Sequence, residues 1–401
     1  MTHAQVQFDV QAQGPLTGYR VADMTRLVAG NMLSLQLADF GADVIKIEPP
    51  GGDPLRVWLE DGKPLYWKVY ARNKRSVVLD TRESDGMSAL RKLLGQVDVF
   101  IENFRPGTLE QMGIGPEALL AINPDLIIVR ISGFGQTGPY ATHPGFGTLV
   151  EAMSGFAARS GFPDREPLLP PLALADMIAG IYGANAVSMA LLSRLRGQSR
   201  GQVIDLSLLE SIFSVLGPEV TAFAFSQTVK PRVGNGSNTA APRNVYRCAD
   251  GQYLSVSGSI QNIAERIFKA IGRPDMISDP RFANNTARVA HRTELDQILG
   301  GWFAERTGEQ ALSVMRQAGA TVAPVYDVSH IAKDPHFNAR EVFLPVQDAD
   351  YETLLMHNMV PRLSQTPGVW RRPAPRLGEH TAEIYAEFNL DASPASDQTQ
   401  A

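Results

Sequence analysis

Short, continuous apolar runs alternate with segments of mixed character through the first half of the chain. Residues 19–24, DVIKIE at 43–48, SVVLD at 76–80, VDVFIENF at 97–104 and LIIVRIS at 126–132 read as strands. Between them, the pattern predicts helices near 31–40, closed by Gly41 as a C-terminal cap, near 86–94 and around 108–112. Strands that are apolar at successive positions fit burial on both faces, and their alternation with helices predicts a doubly wound parallel sheet.

The longest apolar stretch is LLPPLALADMIAGIYGANAVSMALL at 168–192, in which Asp176 is the one charged residue between Glu166 and Arg194. Its Ala and Gly content, with Asn185 and Ser188 inside it, predicts a core helix starting near Asp176 and not a membrane span. Loop material at 225–250 then leads to a strand-like GQYLSVS and to helices around 260–272 and 292–318. The expected organisation is a Rossmann-like large α/β domain over 1–215, a smaller α+β domain over 216–321, and a return to the large domain over 322–401. That last part includes the VAPVYDV strand and the tail APRLGEHTAEIYAEFNL. The closing DASPASDQTQA is polar and aperiodic, so disorder is expected there.

Composition narrows the function only a little. The 401 residues carry a net charge of −5, which argues against a broad nucleic-acid footprint. A single cysteine, Cys248, leaves no intramolecular disulfide and no Cys-based zinc site. The polar N-terminal stretch lacks the layout of a signal peptide, so a cytoplasmic enzyme is expected.

Two motif matches fail on context. Gly133-Phe-Gly135-Gln-Thr-Gly138 follows a strand but continues into PYATHPGFG, where a dinucleotide fingerprint needs a helix N-terminus. Gly197-Gln-Ser199-Arg-Gly201 follows a helix and precedes a strand, the reverse of a nucleophile elbow. His330 and His336 around Asp334 are weak metal spacing, better read as capping or surface residues. The run Arg72-Asn73-Lys74-Arg75, with Arg82 and Arg105 at neighbouring strand ends, is either a solvated sheet edge or a phosphate site. Asp176 reads either as an N-cap or as a carboxylate nucleophile, which wants the same ionised and poorly hydrated setting.

Several stretches in order decide between these alternatives: LADFGADVIKIEPPGGDPLR, RNKRSVVLD, VDVFIENFRPGTLEQMGIG, ISGFGQTGPY, PGFGTLVEAMSG, the ALADMIAG region and LGEHT at 377–381. Through them the chain resembles the class III (CaiB/BaiF-type) coenzyme A transferase family, related to formyl-CoA transferase, from about residue 17 to 390. The resemblance implies an interlocked homodimer, acyl-CoA and a small carboxylic acid as substrates, and no permanently bound cofactor, metal, nucleic acid or membrane. Asp176 falls on the family's catalytic aspartate, which carries the acyl group as an anhydride and CoA as a thioester. Coenzyme A contacts carry over to Val28 and Ala29, to Leu79, Asp80, Thr81 and Arg82, to Asn103, Phe104 and Arg105, and to Pro144, Gly145, Phe146 and Gly147. The basic cluster then gains a polyanionic ligand.

Departures point to the substrate. Phe146-Gly147 stands where a related racemase carries His-Asp, so one of the two acid–base groups that racemisation needs is missing. The same pair replaces Tyr-Glu of formyl-CoA transferase; Val28 replaces its glutamine and Pro49 a CoA-binding arginine, while its glycine run matches Gly234–Asn238 only loosely. These changes favour a larger acid, a dicarboxylate such as succinate, with Arg26 and Arg243 as candidate carboxylate partners. The alternatives are an acyl-CoA racemase or isomerase and a non-catalytic acyl-CoA-binding homologue.

Overall fold

Six of the strands form one parallel sheet in the computed structural model, which describes residues 4–390. They are β1 (Arg20–Asp23), β2 (Asp43–Glu48), β3 (Lys74–Val78), β4 (Val99–Glu102), β5 (Ile127–Ser132) and β6 (Gln202–Ser207). Their order is β3-β2-β1-β4-β5-β6, and every pairing is parallel. This is the doubly wound arrangement, with the chain reversing direction between β1 and β4. There the loops leaving both strands diverge and open a crevice for ligands. Valine and isoleucine fill both faces of the central strands, so two separate cores form, one on each side.

The first helix, Leu27–Asp39, starts earlier than its sequence pattern suggests, while Gly41 does follow its end with φ +97°. It is buried almost all round because the helix Leu174–Leu195 lies against it. A stripe of small residues makes that approach possible: Ala175, Ala179, Gly180, Gly183 and Ala190 are all buried. A Cβ on Gly183 would lie 2.3 Å from Leu33 Cδ1, and one on Gly180 would lie 2.7 Å from Met32. The opposite face of the long helix leaves Ile181, Tyr182, Met189, Leu192 and Leu195 exposed.

The chain divides into two units, one of residues 1–156, 170–217 and 340–401, the other of 157–169 and 218–339. The return to the large unit therefore comes at residue 340, not 322. The VAPVYDV stretch supplies β9 (Val322–Pro324), which joins β7 (Arg243–Arg247) and β8 (Tyr253–Ser257) in the small unit's antiparallel sheet. Its apolar residues satisfy a sheet edge there, which the pattern alone does not reveal. Aromatic and aliphatic side chains, including Phe268, Phe282 and Phe303, build that unit's own core, and Cys248 is buried within it. The helical stretch 292–318 is two helices, separated by a capping box at Thr307. In the large unit a hairpin of β10 (Phe343–Asp348) and β11 (Glu352–His357) precedes the helix Thr381–Glu387. The expected disordered tail lies outside the described residues.

Candidate active site

The loop after β1 is held by a buried charge network. Asp23, Lys46 and Lys74 are fully buried. Lys46 Nζ donates to Asp23 Oδ1 (3.2 Å) and to the Thr25 carbonyl (2.6 Å), and it pairs with Asp53 Oδ2 at 2.9 Å. Asp53 in turn accepts from the Leu27 N–H (3.0 Å) and from Asn31 Nδ2 (2.8 Å). Burial alone would raise Asp23, yet Lys46 and Lys74 hold it below the usual carboxylate range. The network fixes Leu27 at φ +62°, a conformation a leucine adopts only when its surroundings over-determine it. Arg26, just before it, is clasped on both backbone groups by Asn103: its N–H donates to Asn103 Oδ1 (2.9 Å), and its carbonyl accepts from Asn103 Nδ2 (2.8 Å).

Asp176 faces this loop. It is the third residue of its helix, not the cap; Ala173 occupies the N-cap and makes no side-chain bond. The cap comes instead from Glu151, on the helix Gly147–Met153, whose Oε1 accepts from the Ala175 N–H at 3.1 Å. Glu151 is 2% exposed. Asp176's own N–H and then the Ala29 N–H of the first helix favour the charged form of the carboxylate. Burial, and then the neighbouring Glu151, push Asp176 up to about 6, against the pull of those two N–H groups. It is therefore mostly ionised at neutral pH while poorly hydrated. A Cβ on Gly147 would lie 2.1 Å from Asp176 Oδ2, so only glycine leaves room for the carboxylate.

The cavity in front of Asp176 measures 80 Å³ and is lined by, among others, Arg26, Asn103, Gly133, Gly145 and Phe146. Gly133 and Gly145 touch back to back, since a Cβ on either would fall within 2.7 Å of the other's Cα. Backbone thus closes the cavity where side chains would fill it. A second crevice over the ends of β2 and β3 shares Arg26 and is lined by Leu79, Thr81 and Phe104.

The sequence-derived residues divide accordingly. Asp176, Ala29, Asn103, Gly145, Phe146 and Gly147 converge on one cavity, and Leu79, Thr81 and Phe104 on the adjoining crevice. Pro144 and Arg105 are exposed on the flanking loops, and Arg82 pairs at the surface with Asp80. Val28 does not face the site: its side chain is buried against Leu55, Trp67 and Ala71, and Leu27 takes its place in the cavity wall. The phosphate reading of residues 72–75 is overturned. Arg72 and Asn73 bind Asp39, Lys74 binds Asn31, and Arg75 binds Asp43, Glu383 and Glu387. All four are buried and serve the fold. Of the two candidate carboxylate partners, Arg26 lines this cavity, and Arg243 donates to the Gly236 carbonyl within the small unit.

Glu151, Lys46 and Asp53 went unnoticed in the sequence. Glu151 sits 24 residues before the N–H it caps, in a separate helix, so no capping-box spacing announces it.

A doubly wound sheet with a half-buried carboxylate at its switch point defines a class of protein that binds and reacts a ligand there. The CoA-transferase family III model matches residues 16–381, and the chain belongs to that family; it is a CoA-transferase. It is 40% identical to the succinyl-CoA–D-citramalate CoA-transferase of Chloroflexus aurantiacus, over 93% of this chain and 94% of that one. It is 35% identical to the succinate–glutarate CoA-transferase of Agrobacterium fabrum, over 93% and 96%. Among solved structures, a CaiB/BaiF family protein from Brucella suis superposes with a TM-score of 0.82 at 33% identity, covering 94% of this chain and all of that one.

Proposed function

We propose that this enzyme moves CoA from succinyl-CoA to a second small dicarboxylic acid, with Asp176 as the covalent carrier. The observation that carries the reading is the Asp176 carboxylate itself: ionised, poorly hydrated and aimed into a cavity walled by backbone. It attacks the thioester carbonyl, the C–S bond breaks, and an aspartyl–succinyl anhydride and CoA thiolate form. The thiolate attacks the aspartyl carbonyl, expelling succinate and leaving an aspartyl-CoA thioester. The acceptor carboxylate attacks that thioester and frees the thiolate again. The thiolate then takes the acceptor's acyl group and returns Asp176 to a carboxylate. One thioester replaces another, so no ATP is needed.

Arg26 supports a dicarboxylate. Its guanidinium lies over the Phe104 ring (5.7 Å), it has no ion-pair partner among the described residues, and it lines the same cavity as Asp176. The names of the relatives from Chloroflexus and Agrobacterium, which pair succinyl-CoA or succinate with citramalate or glutarate, agree with that choice. A homodimer, interlocked as in the family, belongs to the same reading.

Intact-protein mass spectrometry after mixing with succinyl-CoA, wild type beside Asp176→Ala, tests it. A CoA or hydroxylamine-trapped adduct mapped to Asp176 and absent from the variant supports the mechanism. Measurable CoA binding without an adduct from any donor, or solvent deuterium entering the acyl α-carbon without transfer, sinks it.

A further inference from the structure

The buried acid beside the nucleophile has no evident structural reason to carry a charge. We infer that Glu151 is a positioning residue for the transfer: it pins the first turn of the Asp176 helix and sets a second negative charge beside the attacking carboxylate, sharpening it as a nucleophile. This rests on the covalent reading above and deepens it.

Three observations carry the inference. Glu151 is buried, and no lysine or arginine lies within ion-pair distance of it among the described residues. A buried, unpaired carboxylate costs several kcal/mol, so it is a poor choice for stability alone. Its Oε1 accepts the Ala175 N–H at 3.1 Å, and that bond needs only an oxygen. A glutamine would cap the helix as well without the charge. Finally, Gly147 puts no side chain between the two acids: a Cβ there would lie 2.1 Å from Asp176 Oδ2 and 3.9 Å from Glu151 Oε1.

Among the described residues, Glu151 from the helix Gly147–Met153 neighbours Asp176, and Arg26 is the other charged residue that lines its cavity. Of the two, Glu151 is the one whose charge acts on Asp176. Glu151 itself does not line the cavity, so it acts through Asp176 and not on substrate. The direction of the Asp176 shift, with Glu151 as its second cause after burial, agrees.

The test compares Glu151→Gln, which keeps an oxygen for Ala175, with Glu151→Asp, which keeps the charge. Rapid-quench formation of the Asp176 adduct from succinyl-CoA is followed across pH 4.5–8.5, together with the melting temperature. In Glu151→Gln, the acid limb of the rate moves to lower pH and the plateau rate falls about three- to tenfold, while the protein melts no lower than wild type. Glu151→Asp keeps the limb close to wild type. An unchanged limb and plateau in Glu151→Gln overturns the inference and leaves Glu151 a plain cap. A limb that moves equally in both variants overturns it too. If wild type forms no adduct at all, the covalent reading has failed first.

Discussion

Asp176 and Gly147 form a unit at the scale of single residues. The glycine vacates the space that the carboxylate occupies, and the carboxylate sits where water hydrates it poorly. Such an arrangement lowers stability in exchange for reactivity. In the folded chain Asp176 titrates near 6, above its ordinary 3.8. Well below pH 4 the group is neutral in both states and costs the fold nothing. As pH rises from about 4 through 6 the unfolded chain gives up this proton before the folded one does, so stability falls, by at most about 3 kcal/mol, and levels off above. Asp176→Asn removes that slope. Denaturant titrations are expected to show the variant more stable than wild type at pH 7.5, with the gap closing by pH 4. A variant less stable at both pH values would mean the charge is well solvated or well paired.

Among the elements, the contact between the helices Leu27–Asp39 and Leu174–Leu195 decides the geometry. The small-residue stripe sets their separation, and that separation brings the Ala29 N–H within reach of Asp176. Gly183→Val, seven residues from the nucleophile, places methyl groups where Leu33 and Leu206 already lie. Overpacking of this kind costs about 1–3 kcal/mol. Pushing the helices apart by a fraction of an ångström is expected to slow adduct formation roughly tenfold or more. Calorimetry and rapid quench on the same variant check both. Full activity alongside a lower melting temperature would show that the site tolerates the displacement. At this scale the sequence is a partial guide. Alternating apolar runs place the five early strands and the long helix to within a few residues. The run at residues 72–75 misleads, because Asp39, Asp43, Glu383 and Glu387, which neutralise it, come from elsewhere in the chain.

For the whole molecule, the outer face of the long helix is a feature that a single chain leaves unexplained. Met189 and Leu195 are 58% and 75% exposed, and Leu192 sits between them. Exposed apolar side chains on one helix face fit the homodimer proposed above. Light scattering is expected to give about twice the mass of one chain, and Leu192→Glu with Leu195→Glu to shift it toward one. A wild-type monomer at micromolar concentration would remove the dimer from the proposal.

The sequence by itself determined the class of fold, because strand and helix periodicities are local and the parallel sheet follows from their alternation. It also singled out Asp176 as the candidate nucleophile, since one charge in an apolar stretch is visible without any contact being known. Only the tertiary structure decided which basic residues are available to a ligand. It also decided that Glu151 caps the Asp176 helix and that β9 belongs to the small unit. Each of these depends on pairing between residues distant in the chain, and a charge reveals its partner only when folding brings the two together.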